Sequence, residues 1–143
     1  MTKLACVLAL ASGLLTGTQA FAGESEAEAC VRQKVWDDYA EGWSIRTLTS
    51  TSLASGATQN YLVTLYKGNQ YKVQTCSNAD AVNVDILLYD LDGMVHARDE
   101  AVGPDPVVSF TPTATATYYL VAYARELKPG VEKVPVAVAL TYR

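Results

Sequence analysis

Val84-Asp-Ile-Leu-Leu-Tyr-Asp-Leu-Asp-Gly-Met-Val-His96, joined through a Pro-marked loop to Thr117-Tyr-Tyr-Leu-Val-Ala122, decides how this chain folds. From Val82 to Asp90 the residues Val82, Val84, Ile86 and Leu88 fall on one side and Asp85, Leu87 and Tyr89 on the other, the period of a strand. Asp92-Gly93 then turns the chain into Met94–Arg98, which predicts a β-hairpin. Gly103-Pro-Asp-Pro106 reads as a rigid loop and Val107–Phe110 as a short strand. Tyr118–Ala124 and Val134–Tyr142 read as a closing hairpin, with Pro129-Gly130 suited to a type II turn.

Working back towards the amino terminus, Tyr61–Tyr66 and Tyr71–Cys76 flank Gly68-Asn69 and predict another hairpin. Alternation there turns Tyr71 and Val73 inward and sets Lys72, Gln74 and Cys76 on the outer, more polar side. Ile45, Leu48 and Leu53 lie in a Ser/Thr-rich run that adds the first strand. About eight strands at intervals of about ten residues predict a mainly β protein, a jelly-roll-like antiparallel β-sandwich with one N-terminal α-helix. The helix is predicted over residues 26–41. Ser25-Glu-Ala-Glu28 has capping-box spacing, Gly42 supplies the stop, and Ala27, Cys30, Val31, Val35 and Tyr39 make one apolar stripe.

Residues 1–22 read as a cleaved secretory leader. Lys3 precedes an apolar run from Leu4 to Leu15, and Ala20-Phe-Ala22 is a small-x-small cleavage pattern. Ser12, Gly13, Thr16, Gly17 and Gln19 interrupt that run too often for a membrane span, so no span is expected in the mature chain, residues 23–143. That single domain holds 10 basic and 15 acidic residues. Its acidity and lack of any Lys/Arg cluster argue against a nucleic-acid partner. Export to the periplasm or the extracellular medium leaves Cys30 and Cys76 in an oxidising compartment, where they are expected to form a disulfide; two separate buried thiols are the alternative.

Tyr61-Leu-Val-Thr-Leu65, Gly68-Asn-Gln-Tyr71, Val84–Gly93, Val107–Pro112 and Tyr118-Tyr-Leu-Val121 together resemble the bacterial pre-peptidase C-terminal domain over residues 59–124. The resemblance implies a secreted, non-catalytic jelly-roll, usually attached to exported hydrolases and in some members binding matrix polymers or calcium. This chain departs from that pattern in carrying no such enzyme within its 143 residues and in having Ala116 where the family often has Gly. The capped helix and the cysteine pair are additions.

Catalysis is not expected. His96 is the sole histidine, on a strand between Val95 and Ala97, and no Gly-x-Ser-x-Gly motif occurs. The adjacent acids Asp37/Asp38 and Asp99/Glu100 read as solvated surface charge, because neighbouring residues point apart. No cofactor is required. Asp85, Asp90, Asp92 and Asp99, with Glu100 beside them, form a candidate calcium site of hard oxygen ligands. The competing reading is turn chemistry at Asp-Gly. Trp36, Tyr39 and Trp43 are candidate binding aromatics near the helix exit, against a competing reading as packing residues.

Two function classes follow. One is an exported binding or accessory module for a polymer, envelope component or protein. The other is a structural or inhibitor-like envelope protein acting through a protein–protein surface. The sequence leaves the partner's identity and the oligomeric state open.

Overall fold

A computed structural model describes residues 25–143. The expected leader, residues 1–22, lies outside them. Helix α1 (Glu26–Ala40) precedes eight strands: β1 (Ser44–Leu53), β2 (Thr58–Leu65), β3 (Tyr71–Cys76), β4 (Ala81–Asp90), β5 (Val95–Asp99), β6 (Val107–Phe110), β7 (Ala116–Leu127) and β8 (Val134–Tyr142). They form two antiparallel four-stranded sheets with strand orders β1-β8-β3-β6 and β2-β7-β4-β5. This is the jelly-roll β-sandwich that the alternation predicted.

Both ends of α1 are closed locally. Glu28 N donates to Ser25 Oγ (3.2 Å) while Ser25 N donates to Glu28 Oε2 (3.1 Å), completing the capping box. At the other end Gly42 N donates to Tyr39 O and Trp43 N to Asp38 O, both at 3.1 Å. That Schellman pattern needs the left-handed backbone that Gly42 supplies with φ +88°.

The core lies between the sheets, where alternate residues Leu65, Tyr71, Val73, Val84, Ile86, Leu88, Leu120, Ala122, Val136, Val138 and Leu140 are buried. A second, smaller cluster lies on the far side of the first sheet. There Ala27, Val31 and Val35 of α1 rest on Ala137 and Ala139 of β8 and on Cys76. Small side chains at 137 and 139 let the helix approach β8 closely, and the Cys30–Cys76 disulfide fixes it there with Cα atoms 6.0 Å apart. The outward placement of Cys76 is therefore as alternation requires.

Two expected hairpins are not formed. β2 and β3 belong to different sheets, so Gly68-Asn69 carries the chain across the sandwich, with Gly68 at φ +97°. β7 and β8 are likewise separated, although Pro129-Gly130 does make its turn, with Val131 N donating to Lys128 O and Gly130 at φ +82°. Tight turns and strand period are common to a hairpin and to a sheet-to-sheet crossing, so neither signal separates them. The β4–β5 hairpin is formed as expected.

The apolar stripe on α1 also differs from expectation at its last turn. Tyr39 is exposed and Asp38 takes the buried position, 6% exposed. Asp38 is therefore not solvated surface acid. Lys72 Nζ donates to its Oδ1 at 2.6 Å, the Gln74 amide donates to its Oδ2, and Thr141 Oγ1 donates to Oδ2 at 3.3 Å.

Candidate functional site

The two outer faces of the sandwich are treated differently. That of β1-β8-β3-β6 is covered by α1, whereas that of β2-β7-β4-β5 meets no further element among the described residues. Strand register lays rows of side chains across this open face. One row runs Leu62, Tyr119, Tyr89, Val95, and the next runs Asn60, Val121, Leu87, Arg98. Leu62 and Tyr119 are 64% and 42% exposed, and the adjoining loop adds the exposed Leu91 and Met94. Asn60, Tyr89, Asp90, Leu91, Gly93, Tyr119 and Val121 line a groove of about 380 Å³ here. Apolar walls with a few polar atoms at the rim are what a protein or ligand contact requires. The far end of the same face is charged. Arg125 Nε donates to the buried Asp85 Oδ2 at 2.5 Å and its Nη2 to Glu100 Oε1 at 3.1 Å.

One wall of the groove is the β4–β5 loop, and Asp90 organises it. Gly93 N donates to Asp90 O (3.1 Å), Asp90 N donates to Met94 O (2.9 Å), and Gly93 stands at φ +85°. Leu91-Asp-Gly93 is thus a three-residue loop closed by a glycine bulge, rather than a two-residue turn. The Asp90 side chain accepts Asp92 N at 3.0 Å and Met94 N at 2.8 Å through Oδ1, and His96 Nε2 donates to Oδ2 at 2.8 Å. His96 reaches it because Leu88 pairs with Ala97 and Tyr89 with Val95, leaving His96 as the extra residue of a bulge. Its ring packs edge-on against Phe110 and Tyr118, at centroid distances of 5.7 and 5.4 Å. Its place on β5 therefore departs from simple strand alternation.

The His96 hydrogen bond, then the Met94 amide, hold the Asp90 carboxyl below its ordinary value of 3.8. A carboxyl depressed in the folded state contributes stability above its unfolded pKa and loses it as pH falls through the folded value. The loop should keep its geometry at neutral pH and loosen below about pH 4. NMR titration of the Asp92 and Met94 amides checks this, since Asp90→Asn should flatten both curves. Titration curves unchanged by Asp90→Asn would contradict it.

The four candidate calcium ligands are not brought together. Asp85 and Asp90 lie five residues apart on β4, about 17 Å along a strand and on opposite faces. Asp85 is held by Arg125, Asp90 by its own loop and His96, and Asp99 by Ala101 N (3.1 Å) and Val107 N (2.9 Å). Asp92 is exposed on the loop, and Glu100 bonds Arg125. Among the described residues, the acidic, histidine and thiol side chains that converge at ligand distance are Cys30, Cys76 and Asp105, and those two sulfurs are bonded to each other. Carboxylate density along the sequence is here divided among separate hydrogen-bonding duties.

The candidate aromatics divide as well. Trp36 and Tyr39 stand exposed on α1 as an edge-to-face pair, with centroids 6.0 Å apart. Trp43 is buried and does not join them, because Lys72 Nζ and the Arg143 guanidinium lie over its ring at 4.5 and 4.6 Å. The row on the open face was missed at the sequence level. Leu62, Tyr89 and Tyr119 come from three strands, and only the sheet order makes them neighbours.

A disulfide-tethered helix on one face and an open, apolar-lined sheet on the other define a jelly-roll sandwich with one outer face uncovered among the described residues. No family model matches the chain, and no curated protein does. Among solved structures it is similar to a periplasmic inhibitor of g-type lysozyme, PliG from Aeromonas hydrophila, at 15% identity and a TM-score of 0.51, covering 68% of this chain and 85% of that one. It is also similar to a de novo designed double-stranded β-helix, at 10% identity and a TM-score of 0.37 over 66% of this chain and 99% of the other. At these identities the likeness concerns the fold. Among the described residues no helix is long and apolar enough to cross a membrane.

Proposed function

We propose that this is an exported, non-catalytic, inhibitor-like protein that occupies a protein partner with the open face of β2-β7-β4-β5. The observation that carries the reading is the row Leu62, Tyr119, Tyr89, Val95 beside the groove, on the one sheet face that α1 does not cover. The disulfide and the leader pattern support export. The fold shared with a periplasmic lysozyme inhibitor supports a protein, with a lysozyme tested first, over a polymer as the partner.

His96 supports the non-catalytic reading. Its Nε2 is engaged by Asp90 and its ring by Phe110 and Tyr118, so it is committed to the loop. The pre-peptidase resemblance implies a polymer ligand instead, and the same experiment separates the two. The wild-type protein and Tyr119→Ala are assayed against g-type and other lysozymes and for retention on purified peptidoglycan. Inhibition that weakens at least about tenfold in Tyr119→Ala is expected, the loss typical of a central interface aromatic. Retention on peptidoglycan without inhibition would favour the polymer. Inhibition equal in both proteins would remove the open face from the reading.

A further inference from the structure

We infer that the protein self-associates through β2, whose free edge pairs antiparallel with β2 of a second copy about a two-fold axis at Leu62. The sandwich has four edge strands, β1 and β6 in one sheet and β2 and β5 in the other. Exposed edges normally carry a device against pairing, such as shortness, a bulge, charge or a covering element. β6 has four residues. β5 is bulged and carries His96, Arg98 and Asp99. β1 has a register break next to Arg46, and Ser50 on it donates to Glu28 of α1.

β2 has none of these. Its sequence Thr58-Gln-Asn-Tyr-Leu-Val-Thr-Leu65 contains no charge, proline or glycine, and its register with β7 is unbroken over all eight residues. A strand with no charge opposes nothing repulsive when it meets itself, which makes a second copy of this chain the occupant that the edge fits. In antiparallel pairing about a two-fold axis, residues of equal orientation face each other. Centring on Leu62 puts it against its counterpart and sets Asn60 opposite Thr64. Leu62, at 64% exposed the most exposed apolar side chain of the strand, then packs beside its counterpart and loses part of that exposure. The open face becomes one eight-stranded surface in which the row ending at Leu62 continues into the second copy.

Sedimentation equilibrium of the mature chain is expected to show a monomer–dimer equilibrium. Leu62→Lys, at an exposed position, should stay folded and raise the dissociation constant at least about tenfold, since two ammonium groups would face each other across the axis. Leu62→Cys should form an intermolecular disulfide on mild oxidation, because directly paired Cα atoms sit about 4.5–5.5 Å apart, within bonding range. A wild type that remains monomeric at its highest soluble concentration would overturn the inference, as would Leu62→Lys dimerising like the wild type. Partner binding is read separately through Tyr119. A monomer whose inhibition still depends on Tyr119 ends the dimer and leaves the proposed function standing.

Discussion

Replacing Asp38 with alanine is expected to cost about 3 kcal/mol in urea unfolding. The carboxylate sits between α1 and the first sheet and accepts from Lys72, Gln74 and Thr141 together. Removing it leaves the Lys72 ammonium and the Gln74 amide under a helix without their acceptor, while the Thr141 hydroxyl retains Lys72 O, and such stranded groups cost more than the lost bonds themselves. For a domain of this length total stability is on the order of 10 kcal/mol, so the variant should unfold at a clearly lower urea midpoint with the slope unchanged. Adding Lys72→Met should recover part of the loss, because the stranded charge goes with it. A loss below about 1 kcal/mol would mean that Lys72 finds water as a substitute.

Eliminating the disulfide, as Cys30→Ala with Cys76→Ala, should lower stability by on the order of 4 kcal/mol, the loop-closure figure for a separation of 46 residues. That corresponds to a fall in Tm of about 15 °C for a chain of this size. The loss should be felt unevenly. α1 touches the sandwich through a small second cluster, so hydrogen exchange ought to speed first in Glu26–Ala40 and only later in the inter-sheet core. Uniform acceleration in both would show that helix and sandwich unfold as one unit.

Much of the body was legible because its determinants are local. Ser25, Glu28 and Gly42 announce the helix by side-chain and backbone chemistry within four residues of the groups that they satisfy. Val84, Ile86 and Leu88 announce a strand by period, and Cys76 falls on the outer side by the same count. Legibility stopped where the decision is taken far away. Asp38 is buried because its donors lie 34, 36 and 103 residues on, so a stripe drawn by hydropathy chose Tyr39. β2 and β3 were joined as a hairpin because a turn does not state which sheet follows it. The aspartates looked like a cluster in one dimension, whereas strand geometry turns Asp85 and Asp90 to opposite sides. The open face was invisible for a related reason: Leu62, Tyr89 and Tyr119 gain meaning only from the β2-β7-β4 order.

The position of β8 has a temporal consequence. The last strand of the chain lies between β1 and β3, and its Ala137 and Ala139 are the floor on which α1 rests. Half of the sandwich has no middle until β8 is inserted between β1 and β3. Native pairing of β1 and β3 must wait for β8, and distant pairings of this sort are slow to close. Until β8 is in place α1 lacks the floor that buries Ala27, Val31 and Val35, so the helix and the sheet under it set together.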